Sequence, residues 1–241
     1  LNKILDILYP RRCILCDGVL DTPDSGVCTQ CRPKLNYVKE PSCKKCGKPI
    51  GDERGEYCYD CREGRHSYAQ GKSVWVYQGE MKQSIYRFKD GGRREYAEFY
   101  AKESARLYGD WIKRKDIQAI IPIPIHRHKR YKRGYNQAEV YAKELGKQCG
   151  LPIDSKTLIR VVDTLPQKTL SDRERKNNLK KALKIGVDGV QWKRVLVVDD
   201  IYTTGSTVDA AAVLREAGVE KIYILSITIG NGYQKEELEW M

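Results

Sequence analysis

The sequence predicts an α/β fold, a parallel sheet with helices on both faces, joined to a small N-terminal module held by metal. Three observations carry this. From residue 66 onward, strand-like and helix-like stretches alternate, which implies parallel strands with right-handed crossovers. The run Val195-Leu-Val-Val-Asp-Asp200 begins apolar enough for a strand buried on both faces and ends in two carboxylates. Eight of the nine cysteines form four Cys-x-x-Cys pairs, one starting every fifteen residues.

Those pairs are Cys13/Cys16, Cys28/Cys31, Cys43/Cys46 and Cys58/Cys61, within a module expected to span residues 1–65. Eight thiolates suffice for two tetrahedral zinc sites of four cysteines each, since a two-residue gap lets one knuckle present both sulfurs to one metal. Large apolar residues are sparse here, so metal must supply folding free energy that a small core cannot. A disulfide framework is the alternative. Residues 1–10 are amphipathic, broken by Lys3 and Asp6, and do not read as a secretory leader, which favours a reduced compartment and zinc. Pairing the first knuckle with the second and the third with the fourth needs the shorter loop closure. Cross-braced pairing stays open. Cys149 stands alone and reads as a small buried hydrophobe.

The remaining elements follow in order. Residues 73–77 suit a strand and 80–89 a helix, closed by the break Lys89-Asp-Gly-Gly-Arg93. Residues 95–113 form a helix with Tyr96, Phe99, Tyr100, Ala105 and Leu107 as its apolar positions. Residues 117–125 are a buried strand whose Pro122 and Pro124 suit its end. Residues 136–149 are a helix stopped by Gly150-Leu-Pro152. Strands are expected at 157–162, 193–199 and 221–228, with a helix from about Val208.

Charge is unevenly spread. The chain carries a formal +12. Residues 66–192 hold 27 Lys and Arg against 14 acids, whereas residues 193–241 hold five against eight. A basic middle points to an anionic partner, nucleic acid or polyphosphate. No stretch approaches the roughly 18 apolar residues of a membrane span.

The chemistry concentrates at Val195–Thr207. A strand, a hydroxyl-rich loop and a helix start together form a phosphate cradle of backbone N–H groups and helix dipole. Thr203, Thr204, Ser206 and Thr207 add hydroxyls, and Gly205 permits close approach. Two carboxylates beside such a cradle would repel a bare phosphate. They fit a ligand that also offers hydroxyls or brings a divalent cation; a metal site or a helix cap is the plainer reading. The string Asp199-Asp-Ile-Tyr-Thr-Thr-Gly-Ser-Thr207 resembles the phosphoribosyl pyrophosphate (PRPP) signature of type I phosphoribosyltransferases. The resemblance implies that Tyr202–Thr207 hold the 5-phosphate and that Asp199 and Asp200 hold the ribose hydroxyls and serve as the catalytic carboxylates, with Mg2+ accompanying PRPP.

Two further segments fall on the same rim. The dense cationic loop His126-Arg-His-Lys-Arg-Tyr-Lys-Arg133 sits where that family binds pyrophosphate, which nominates Arg127, Lys129, Arg130 and Arg133 for pyrophosphate or nucleic-acid phosphate. A solvated basic turn is the alternative. The polar segment Thr164–Asn178 sits where the family carries its flexible catalytic loop.

Knuckles, then Ile121-Pro-Ile-Pro-Ile125, then Arg133-Gly-Tyr-Asn-Gln137, then Gln167 with Arg175 and Asn177, then the PRPP signature: this order resembles the ComF family of bacterial competence proteins. Gly134, Tyr135, Asn136 and Gln137 carry the motif that separates it from base-salvage enzymes. The resemblance implies a double zinc ribbon on a phosphoribosyltransferase-like domain over residues 66–241, with 66–115 as a candidate hood. It implies a cytoplasmic protein of natural transformation that handles incoming single-stranded DNA. It would work with a helicase or recombination mediator of the uptake machinery at the inner face of the membrane. An active transferase on a nucleobase or other small acceptor, without a DNA role, is the alternative. Tyr37, Tyr57 and Tyr59 could stack unpaired bases or simply pack around the knuckles.

Overall fold

The computed structural model describes residues 10–22, 25–51, 55–64, 66–161, 182–203 and 205–231. Their elements are α1 (Tyr59–Glu63), β1 (Gln70–Val76), α2 (Gly79–Asp90), α3 (Tyr96–Arg114), β2 (Ala119–Pro122), α4 (Arg127–Arg133), α5 (Gln137–Cys149), β3 (Leu158–Arg160), β4 (Leu183–Ile185), β5 (Arg194–Tyr202), α6 (Ser206–Glu216) and β6 (Lys221–Ile229). Four strands form one parallel sheet in the order β1-β6-β5-β2. The apolar run of β5 is therefore central, as its lack of a polar face requires.

Strand alternation divides the interior into two layers. Leu196, Val198, Leu225 and Ile227 face the layer that holds Ile85, Phe88, Tyr100 and Tyr141 of α2, α3 and α5. Val195, Val197, Ile222 and Ile224 face Ala210, Ala211 and Leu214 of α6. Helices thus cover both faces, as the alternating pattern predicts. Among the described residues no helix is long and apolar enough to cross a membrane.

Several local readings need correction. Among the described residues of the 157–162 stretch the strand is β3, which leaves the main sheet and pairs antiparallel with β4; three-residue strands give too little pattern to read. On α3, Leu107 is exposed, while Ser104 is buried and shares its hydroxyl with Tyr100 O at 2.7 Å and Tyr141 Oη at 2.6 Å. The basic loop is a helix, α4. It lacks any apolar stripe and is set instead by its ends: His126 Nδ1 accepts from the His128 N–H at 3.3 Å, and Gly134 closes it at φ 75°.

The cysteine segment packs onto this sheet. Ile14, Leu15 and Leu35 join the layer containing Trp75. On the other side Cys46 meets β1: the Gly71 N–H donates to Lys45 O at 2.6 Å, and Gly47 sits at φ 77°. A Cβ on Gly47 would lie 3.1 Å from Gly71 O and 3.2 Å from Lys72 Cα, both backbone. Gly47→Val should therefore destabilise the protein by about 1–3 kcal/mol through strain and lost docking, measured by chemical denaturation; an unchanged midpoint would show that the ribbon is not seated there.

Candidate functional site

Two quartets of thiols come first, because they brace everything nearby. Cys13, Cys16, Cys28 and Cys31 lie together, and so do Cys43, Cys46, Cys58 and Cys61; in each quartet the sulfurs fall within 4.8 Å of one another. Adjacent knuckles pair, so the local arrangement holds and cross-bracing does not. A tetrahedral zinc–thiolate site requires sulfurs about 3.8 Å apart. Cys16 and Cys28 Sγ are 3.9 Å apart, and Cys46 and Cys58 Sγ 3.6 Å. The donors thus fit two structural zinc ions. Burial opposes ionisation of Cys13, yet backbone N–H groups of Cys16, Cys28 and Leu15 outweigh it and bring the thiol down to about 7. Cys149, at the end of α5, is only half-buried, packing against the core from its edge.

The signature strand then delivers the two carboxylates. Asp199 and Asp200 are both buried, at 6% and 3% exposure. Alternation sends them to different partners. Asp199 accepts from the Asp200 N–H at 2.9 Å and from Thr207 Oγ1 at 3.2 Å, on the α6 side. Asp200 Oδ2 meets Lys89 Nζ at 2.6 Å, on the α2 side. Burial pushes Asp199 up to about 6, against the pull of Lys89, the Thr207 hydroxyl and Arg160. Burial also drives Lys89 down to about 8, with Arg133 and Lys129 adding to the fall and Asp199 and Asp90 opposing it. Between about 6 and about 8, Asp199 is therefore ionised while Lys89 keeps its proton.

Beyond Tyr202 the chain turns into α6. Gly205 is its N-cap and no side chain caps the first turn, which leaves helix N–H groups for an anion. Thr203 is exposed and Thr207 fully buried. Thr204 and the Ser206 side chain lie outside the described residues, as do Gln167, Arg175 and Asn177. Tyr202 points away from the cradle: its hydroxyl is 2.6 Å from that of buried Tyr68.

The basic helix α4 is brought to the same edge because the Ile123 N–H bonds Val198 O at 2.9 Å, tying the end of β2 to β5. Arg127 and Lys129 are exposed. Arg130 pairs with Glu139 at 3.1 Å, and Arg133 with Asp90 at 2.8 Å and Gln137 at 3.1 Å. The motif after it is architectural. Tyr135 is buried and donates to Phe88 O. Asn136 caps α5 by accepting from the Ala138 N–H at 3.1 Å and donates to Ile123 O at 3.0 Å. Tyr37 is likewise structural, packed against Trp75 and donating to Glu103 at 2.6 Å, whereas Tyr57 and Tyr59 are exposed. Sequence reasoning missed Lys89. It was visible only as the first residue of a break, with no local pattern to connect it to Asp200.

The double zinc ribbon domain family matches residues 4–62. "Competence protein F" of Haemophilus influenzae is 29% identical over 223 residues, covering 88% of this chain and 94% of that protein. "Competence protein ComFC" of Bacillus subtilis is 27% identical over 222 residues, covering 83% and 86%. "DNA utilization protein YhgH" of Salmonella typhi is 30% identical over 224 residues, covering 90% and 96%. The chain belongs to this ComF family. Among solved structures, an adenine phosphoribosyltransferase aligns over 70% of this chain and 92% of its own, at 12% identity and a TM-score of 0.35.

Two outcomes follow for this ComF-family protein. Metal analysis of protein purified without added zinc should give two ions per chain, and Cys28→Ser or Cys58→Ser should lower the melting temperature sharply, because each site contributes folding energy directly. Asp199→Asn should stabilise the unliganded protein at neutral pH. The folded carboxyl sits near 6 and its ordinary value is 3.8. Its ionisation therefore costs stability as pH rises through that window, and the amide abolishes the cost. Melting temperature should rise by about 3 °C or more at pH 7.5, and the gain should vanish below about pH 4.

Proposed function

We propose that this protein binds PRPP with Mg2+ at Asp199–Thr207 and handles single-stranded DNA during natural transformation. One observation carries the first half: two buried carboxylates lie near the end of the central strand, a short turn before a helix whose first turn has no side-chain cap. In this reading the turn around Gly205 and the Thr203, Thr204, Ser206 and Thr207 hydroxyls hold the 5-phosphate, and Asp199 and Asp200 accept from the ribose hydroxyls. Mg2+ would neutralise the pyrophosphate, and Arg127 and Lys129 of α4 face it from the neighbouring strand end. Arg133 is held by Asp90 and Gln137, so it shapes the rim rather than reaching outward.

The second half rests on α4 and on the relatives named for competence and DNA utilization. Within that basic helix Tyr131 is 90% exposed. An aromatic ring standing out of a row of cations is the arrangement on which unpaired bases stack while the phosphates are neutralised. Arg93 and Arg94 are poorer candidates, because Arg93 is paired with Asp17 at 2.7 Å and Arg94 lies over the Tyr135 ring.

Calorimetry with PRPP, ribose 5-phosphate and pyrophosphate tests the first half. Asp200→Ala and Thr204→Ala should each weaken PRPP by about tenfold or more; unchanged affinity in both would remove the site. For DNA, log affinity should fall with log salt at about −0.7 per phosphate neutralised. Replacing Arg127, Lys129, Arg130 and Lys132 together should flatten that slope, and Tyr131→Ala should cost about 1–3 kcal/mol without changing it. PRPP should compete with the DNA. Salt-insensitive binding would sink the nucleic-acid role.

A further inference from the structure

Two buried carboxylates at the mouth of a phosphate cradle repel the anion that the cradle is built for. The structure contains an answer within the chain itself. Lys89, in the last turn of α2, places Nζ 2.6 Å from Asp200 Oδ2, and its side chain is only 23% exposed. Nothing in the signature specifies this lysine. It is delivered by the Arg133–Gln137 motif: the Tyr135 hydroxyl donates to Phe88 O, Arg133 Nε holds Asp90 Oδ1 at 2.8 Å, and the Phe88 ring packs against Tyr100 and Tyr135, centroids 5.3 and 6.4 Å away. The residues on either side of Lys89 are thus fixed by that motif and by α3. Arg133 and Lys129 push the ammonium away, whereas Asp90 and Asp199 attract it. A lysine held among like charges by Asp200 and drawn by Asp199 is poised against whatever those two carboxylates bind.

We propose that Lys89 is a ligand-positioning residue of the signature site. Its ammonium is the resident counter-ion of Asp199 and Asp200, and it lets an anionic sugar phosphate settle beside them before a divalent cation arrives. The Arg-Gly-Tyr-Asn-Gln motif then acts by aiming Lys89, without touching ligand. This rests on the PRPP reading above. Electrostatics gives the sign. Without Lys89 the pair presents more of its negative charge to a polyanion, a deficit that the cation accompanying the ligand can offset.

The test is PRPP calorimetry on full-length, zinc-loaded protein, in Mg2+-free buffer without chelator (which would strip the ribbons) and again with saturating Mg2+. In Mg2+-free buffer Lys89→Met should lose about tenfold or more in PRPP affinity, saturating Mg2+ should recover most of that loss, and Lys89→Arg should stay within about threefold of wild type throughout. A merely structural lysine would give losses independent of Mg2+. Tyr135→Phe removes the hydroxyl that seats Phe88 while leaving every charge, and it should show the same Mg2+-rescued loss at smaller amplitude; it decides the matter if Lys89→Met does not fold. Equal affinity of Lys89→Met and wild type without Mg2+, or a loss that Mg2+ leaves unchanged, overturns the role of Lys89 while PRPP binding by wild type stands. Wild-type protein that binds no PRPP in either buffer overturns the PRPP reading, and this proposal with it.

Discussion

The constraint on which this structure turns is the burial of two carboxylates at the end of its central strand. A carboxylate removed from water must find a partner or take up a proton. The sheet answers in polar steps laid among apolar layers. Ser226 is paired with Asp199 in the ladder and shares a 2.6 Å hydroxyl contact with Ser73 on the next strand. Thr228 Oγ1 donates to Asp200 O at 3.0 Å, and Thr207 donates to the Asp199 carboxylate. Thr207 thus solvates the carboxylate directly, Thr228 satisfies the carbonyl beside it, and the two serines satisfy each other.

How much of this was legible in the sequence depended on whether the signal was contiguous. The signature was readable because strand, carboxylates, loop and helix start occupy thirteen consecutive residues. Knuckle pairing was readable because loop closure favours neighbours, and the quartets obey it. What stayed hidden was assembled across distance. Lys89 carries no local mark of its ion pair. Helix α4 was hidden because it has no buried face, so periodicity had nothing to report. Likewise Arg133 reads in sequence as one more cation of a binding loop, yet its partners Asp90 and Gln137 make it a fastener. The adjacency of Asp199 and Asp200 suggests a twin pair with one task. Alternation along the strand gives them different neighbours, and so different electrostatic environments.

The two ribbons, although repeats of one pattern, brace different parts of this arrangement. The first stands behind α2 and α3. Arg87 donates to Leu15 O at 2.8 Å, Tyr96 donates to Asp17 Oδ1 at 2.6 Å, and Arg93 pairs with the same carboxylate. These contacts clamp both sides of the Gly91-Gly92 turn, which begins two residues after Lys89, the residue that reaches Asp200. The second ribbon stands behind the signature strand. Lys45 Nζ donates to Tyr68 O at 2.5 Å and lies 5.2 Å from the centre of the Tyr68 ring, and the Tyr68 hydroxyl holds Tyr202.

Metal therefore does more than substitute for a missing core. A segment this poor in large apolar residues could not by itself fix a tyrosine or a helix end to the tolerance a charged site needs. A tetrahedral thiolate centre can, because its bond lengths and angles leave each knuckle little freedom. One ribbon fixes the helix that brings the cation, and the other fixes the last residue of the strand that brings the carboxylates. The two sides of the Lys89–Asp200 pair are thus each referred to a separate rigid centre. That explains why a protein with a sheet of its own keeps two metal-held modules packed against it.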